Sequence, residues 1–309
     1  MHPLHNKTPL VFSKEMSRLT GKAVWIKMEV QQPSGSFKLR GIGHACQVYH
    51  QKGVKSLICA SGGNAGLAVA YAGRQLGLAV TVVVPQTTSP EAIAAIKQEE
   101  AIVKVYGKDY QEAHDYAMSC VTPQQPYVHS YDHPLLWKGH ASLIDELKTA
   151  PFIPDLIVLS VGGGGLLCGV VEGLMLNGWN QTPVLAVETQ GAHALALALQ
   201  VQKIKALPHI NSIATSLGAR QIAQKAFDYS QQHPIFSHVV SDLTAVNACL
   251  RFYDEHQLVV EPACGAALAA VFQQHPILQG KSNVVVIACG GVGSSLEQLQ
   301  QWQLTLPIE

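Results

Sequence analysis

The chain has 309 residues, with 21 Lys and Arg against 21 Asp and Glu, so its formal net charge at neutral pH is zero. Charged residues make up only 14% and hydrophobic ones 48%, which supplies a large core and excludes the basic footprint of a nucleic-acid or anionic-membrane binder. The expected partner is a small molecule or a second copy of the chain. Seven cysteines (Cys46, Cys59, Cys120, Cys168, Cys249, Cys264 and Cys289) are odd in number and form no CxxC pair. They read as buried reduced thiols rather than a disulfide framework or a zinc site. The opening "MHPLHNKTPL" has neither the basic segment nor the apolar run of a secretory signal, so a cytoplasmic location is expected.

In chain order, the first informative stretch is "QQPSGSFKLRG" (31–41). Glycine and proline there give a shaped turn, and Lys38 sits inside it at a defined position. Short apolar strands then alternate with helices: "SLICA" (56–60) before "NAGLAVAYAGRQLG", "VTVVV" opening at Val80 before "SPEAIAAIKQEEA", and "IVKVY" (102–106) before "DYQEAHDYAMSC". Beyond the proline-rich "TPQQPYVHSYDHP" (122–134), "LIVLS" (156–160) precedes "GLLCGVVEGLML", "VLAVE" (184–188) precedes "AHALALALQ", and "NVVVIAC" (283–289) precedes "SSLEQLQQW". Continuous apolar strands separated by helices are the pattern of parallel sheets covered on both faces, so the class is α/β. Two lobes are expected, residues 1–39 with 131–309 as the larger and 40–130 as the smaller. The apolar run from Asp155 to Trp179 is long enough to span a bilayer, but four consecutive glycines and Glu172 inside it predict strand, turn and helix instead.

Three glycine-rich turns each follow a strand: "SGGNAG" (61–66), "GGGG" (162–165) and "GGVG" (290–293). Glycine there lets backbone N–H groups approach an anion at a helix start. Neither a GxxxxGK[ST] loop nor a convincing GxGxxG fingerprint is present. With a constrained lysine, the set points to a phosphate-bearing cofactor and an amine able to form an imine with it. His129, Asp132, His133 and His140 offer metal-ligand types, but their spacing mixes loop with helix and defines no single face.

"PSGSFKLRG", "SGGNAG", "VGGGGLL", "VETQGAH", "SLGA", "EPACGAALAA" and "ACGGVG", in that order over almost the whole chain, resemble the fold-type II pyridoxal-phosphate enzymes. Within them the chain is similar to the serine/threonine dehydratases of the short L-serine dehydratase type. The resemblance implies a two-lobed α/β fold like that of the tryptophan synthase β chain, with the larger lobe binding pyridoxal phosphate. It implies that Lys38 carries the cofactor, Phe37 lies against its ring, and Asn64 bonds the ring oxygen. Gly162, Gly163, Gly164, Gly165 and Leu166 would cradle the phosphate, and Cys289 would stand beside the pyridine nitrogen as a weak donor.

By the same resemblance Ser61, Asn64 and Ala65 would hold the substrate carboxylate, with Gly62 and Tyr131 at the substrate pocket. Glu188, Ala192, Leu217 and Ala219 would bind a monovalent cation, potassium physiologically. The activity implied is elimination of water and ammonia from L-serine, and from L-threonine, in a homodimer without the regulatory domain of long threonine deaminases. Gly62 has no side chain to act as the acid opposite the lysine, which disfavours serine racemisation. A β-replacement enzyme like cysteine or threonine synthase, and a catalytically silent cofactor- or amino-acid-binding protein, are the other readings.

Overall fold

The structure is a computed structural model and describes residues 2–307. Packing divides the chain into two units: one from the residues up to Asn6 with Gln32–His140, the other from Lys7–Gln31 with the residues from Ala141 on. The smaller unit thus takes in 32–140 and the residues up to Asn6, where the expectation was 40–130 alone. The reason is that the helix beginning at Lys38 packs on the helix beginning at Asn64, and carries the preceding turn with it.

In chain order the elements open with β1 (Leu10–Phe12), α1 (Lys14–Thr20) and β2 (Ala23–Lys27), which belong to the second unit. The first unit then builds α2 (Lys38–Gln51), β3 (Ser56–Ala60), α3 (Asn64–Leu76), β4 (Ala79–Val84), α4 (Pro90–Gln98), β5 (Ile102–Val105) and α5 (Tyr110–Ser119). After α6 (Pro134–Leu147) come β6 (Leu156–Ser160), α7 (Gly165–Leu176), β7 (Val184–Thr189), α8 (Ala194–Val201), α9 (Gln224–Gln232) and β8 (Ile235–Val240). The second unit closes with α10 (Asp242–His256), α11 (Pro262–Phe272), β9 (Asn283–Ile287) and α12 (Leu296–Thr305).

The first unit holds a three-stranded parallel sheet in the order β3-β4-β5. α3 and α5 both pack against it, and Ile58, Ala60, Val83, Ala113 and Ala117 close one core cluster. The second unit holds a six-stranded sheet in the order β1-β2-β9-β6-β7-β8, parallel except for the β1–β2 pair. Every residue of β6, β7 and α11 is buried, as expected for central parallel strands with a helix laid on them. The strand, turn and helix expected between Asp155 and Trp179 are β6 and α7, and no described helix is long and apolar enough to cross a membrane. Strands β1, β2 and β8 were not legible as apolar runs. β8, at one edge of the sheet, is mostly half-buried and mixes polar with apolar residues, and β1, at the other edge, is only three residues long.

Candidate active site

In the first unit, the turn before α2 is fixed by Gly35 at φ +73°, whose N–H donates to the Gln32 carbonyl at 2.7 Å. Lys38 is the first residue of α2, so its side chain leaves from a helix start. Its Nζ donates to the Ser130 carbonyl at 2.7 Å and lies 5.1 Å from the Phe37 ring centroid. In the turn that precedes it in sequence, the hydroxyls of Ser34 and Ser36 are buried without a hydrogen-bond partner. Phe37 packs at a tilt, 5.0 Å between ring centroids, on His140, a fully buried imidazole whose pKa is held well below its usual value, first by burial and then by the charges of Lys38, Arg40 and His5. His140 closes on Gly41, where any side chain would overlap it.

Ser130 also joins Lys38 to the next motif, because its hydroxyl reaches the Ala60 carbonyl at 3.5 Å, one residue before Ser61. The turn from Ser61 to Gly63 ends β3 and opens α3 at Asn64 with no side-chain cap, which leaves the helix start suited to an anion. Asn64 and Ala65 are buried, while Ser61 and Gly62 are half-buried. Gly66 must be glycine, since a Cβ there would run into the Ser61 carbonyl. A Cβ at Gly62 would lie 2.5 Å from Thr88 Oγ1 and 2.6 Å from its Cγ2. Nothing in the local sequence announces Thr88, which is 26 positions further along the chain.

The segment carrying Ser130 is clamped by a histidine. His129 Nδ1 accepts from the Tyr131 N–H at 3.1 Å and the Asp132 N–H at 2.8 Å. Burial first, then the charges of His114, Lys38 and His133, lower its pKa to about 4, so the imidazole is neutral at physiological pH. Tyr131 packs edge-on against it at 4.7 Å, and burial pushes the Tyr131 phenol up to about 12. His133 Nδ1 accepts from the Leu135 N–H. These histidines are thus committed to backbone groups, and the described residues hold no cluster of three or more His, Cys, Asp or Glu that could bind a metal ion.

In the second unit, β6 runs into the glycines 162–165 and α7 opens without a side-chain cap. Gly164 adopts φ +90°, and a Cβ on it would lie 2.5 Å from the Ala226 Cβ. One on Gly162 would lie 3.0 Å from Leu217 Cα. The Gly163 carbonyl accepts from Ala223 N at 2.9 Å, and Leu166 is buried in the first turn of the helix. Cys289, also buried, follows β9, and none of the seven cysteines is in a disulfide. Sequence reasoning gave no role to Glu261. Its buried carboxyl stands over the "GGVG" turn, in the space a side chain at Gly291 would need.

Glu188, the penultimate residue of β7, is fully buried, and its two oxygens accept from Leu195 N at 2.7 Å and Ala196 N at 2.8 Å, in the first turn of α8. Burial outweighs those two bonds and raises its pKa to about 8. Ala192 and Leu217 are buried in the same unit, and the Leu217 carbonyl accepts from Ala219 N at 2.8 Å.

Residues 1–290 match the family model described as "Pyridoxal-phosphate dependent enzyme". The chain belongs to the pyridoxal-phosphate dependent enzymes. It is 47% identical to the human protein "L-serine dehydratase/L-threonine deaminase", over 96% of this chain and 94% of that one. It is 43% identical to the mouse "Serine dehydratase-like" protein, over 98% and 95% respectively. The crystal structure of a fungal L-serine ammonia-lyase from Rhizomucor miehei superposes with a TM-score of 0.93 at 35% identity, covering 99% of this chain and all of that one. Each unit, taken by itself, carries chemistry that suits the family's cofactor. The first offers a helix-start lysine amine preceded by a turn with orphaned hydroxyls, and the second a turn of backbone N–H groups at a helix start where side chains are excluded.

Proposed function

We propose that this pyridoxal-phosphate dependent enzyme is an ammonia-lyase that converts L-serine, and L-threonine as a second substrate, to pyruvate or 2-oxobutanoate with release of ammonia. The observation that carries the reading is Lys38 Nζ held on Ser130, which itself reaches the strand end before the Ser61 turn, in a chain so similar to serine dehydratases. Lys38 is the residue that carries the cofactor, with Phe37 on its ring, Asn64 at its ring oxygen, Cys289 at its pyridine nitrogen and Gly162–Leu166 at its phosphate. When bound, pyridoxal phosphate supplies the electron sink for charge developing at the substrate's α-carbon.

The remaining work falls to side chains and backbone of the chain itself. Lys38 Nζ is the base that takes the α-proton, and its bond to the Ser130 carbonyl sets where that amine lies. Ser61, Asn64 and Ala65 orient the carboxylate at the start of α3. Tyr131, a phenol neutral at physiological pH and pushed further from ionising by burial, is a donor at the substrate pocket. The β-hydroxyl leaves with a proton as water, and the enamine released from the enzyme is hydrolysed to 2-oxo acid and ammonia. Gly62 brings no acid of its own to the opposite face, which favours elimination over racemisation.

Glu188 with the carbonyls of Ala192, Leu217 and Ala219 is the proposed seat of a monovalent cation, potassium physiologically. A buried carboxyl with a raised pKa is a hard oxygen donor that such an ion would stabilise in its charged form. The same reading makes the protein a cytoplasmic homodimer.

The test is steady-state release of 2-oxo acid from L-serine and L-threonine, with pyridoxal phosphate and potassium present, for wild type and Lys38→Ala. The expected outcome is loss of about 10³-fold or more in the variant. A cofactor-loaded wild type that releases no 2-oxo acid overturns the assignment in favour of β-replacement or binding alone.

A further inference from the structure

Thr88 is held from both sides by its own backbone. Its N–H donates to the Pro85 carbonyl at 3.0 Å, closing a turn after β4, and the next residue, Ser89, caps α4 by accepting from Ala92 N at 3.2 Å. A β-branched side chain on a backbone so fixed has little rotamer freedom. It stands against Gly62, with Oγ1 and Cγ2 in the space that a side chain at position 62 would fill. The residue is half-buried, and its hydroxyl makes no hydrogen bond with a described residue. The turn it covers runs from Ser61 into the uncapped N-terminus of α3. A neutral donor without a protein partner is thereby fixed against a turn of glycines at a helix start.

We infer that the Thr88 hydroxyl is a substrate-binding group, the side-chain donor that Gly62 lacks, directed at the carboxylate of an amino acid seated on the Ser61–Ala65 turn. This inference rests on the assignment of that turn to the substrate carboxylate. A hydroxyl delivered from another element also accounts for glycine at 62, because both side chains cannot occupy one place. Hydrogen bonds to a charged group contribute enough that losing one weakens binding about tenfold.

The test compares holoenzyme carrying Thr88→Val, which keeps the shape and removes the hydroxyl, with Thr88→Ser, which keeps the hydroxyl. Two readouts are taken: KM and kcat for L-serine, and calorimetric affinity for L-alanine, an amino acid with no β-leaving group. In Thr88→Val, KM is expected to rise about tenfold with kcat within about twofold, and L-alanine affinity to fall about tenfold. Thr88→Ser is expected to restore both. Unchanged L-alanine affinity in Thr88→Val, or equal weakening in Thr88→Ser, overturns the inference and leaves Thr88 a packing residue. D-serine formed by wild type and lost in Thr88→Val overturns it in another way, making the hydroxyl an acid rather than a carboxylate donor. A wild type that binds L-alanine but releases no 2-oxo acid fails the proposed function alone; one that does not bind L-alanine overturns the inference.

Discussion

Two glycine turns in different units solve one problem in opposite ways. Each follows a parallel strand and opens a helix without a side-chain cap, which leaves backbone N–H groups for an anion. Around glycines 162–165 the structure closes in. Gly164 is held at φ +90° with Ala226 at its back, and Gly162 lies on Leu217, so no side chain fits and recognition must come from backbone alone. Around Ser61–Gly63 the turn is half-exposed and accepts side chains from elsewhere, Ser61 from within it and Thr88 from the loop after β4. A turn made only of backbone suits a constant group such as a phosphate. One edged with hydroxyls suits a substrate that must be told from its analogues.

The contrast breaks most visibly at Gly164. Gly164→Ala would have to leave φ +90° and displace Ala226, costing about 2 to 4 kcal/mol and lowering pyridoxal-phosphate affinity about 100-fold. Cofactor retained on dialysis, with the melting temperature alongside, measures both. A variant that keeps full cofactor would mean that the turn is not the phosphate site.

A smaller effect is expected one strand away, at Glu188. Its pKa of about 8 in the fold, against 4.5 for an ordinary glutamate, means that between those values the unfolded chain is ionised while the folded one still holds its proton. Folding therefore takes up a proton, and stability falls as pH rises from about 4.5 to 8. Without potassium, the melting temperature should drop by roughly 5 °C or more across that window, and Glu188→Gln should flatten the drop. Added potassium should raise the wild-type value at pH 8 more than at pH 5. An equal response at both pH values, or one kept by Glu188→Gln, would place the ion elsewhere.

The smallest effect is expected at Gly63, the counterpart of Gly164 as the residue before its helix. A Cβ there meets nothing within 4 Å, and its φ of −119° is negative, unlike that of Gly164. Gly63→Ala should change stability by about 0.5 kcal/mol and leave cofactor affinity alone. A loss as large as that of Gly164→Ala would erase the distinction between a closed and an open turn.

Much of the site was legible because its parts are local. A lysine in a glycine-proline turn, and glycines placed between an apolar strand and a helix, are read within a dozen residues, and "LIVLS" followed by "GGGG" permits little besides a buried strand and an uncapped helix. "IFSHVV" concealed β8 because an edge strand is only partly buried and needs no apolar run.

By itself, then, the sequence determined the α/β class, the strand-turn-helix motifs and the shaped turn that leads into Lys38, since each follows from periodicity and backbone freedom over short spans. Only the tertiary structure decided that Thr88 stands over Gly62, that the Ser130 carbonyl receives Lys38, and that Glu188 is buried with its carboxyl on the start of α8. Those are meetings of residues 7 to 92 positions apart, or shifts in charge produced by burial. They depend on which surfaces pack together, a property of the folded chain that no local pattern encodes.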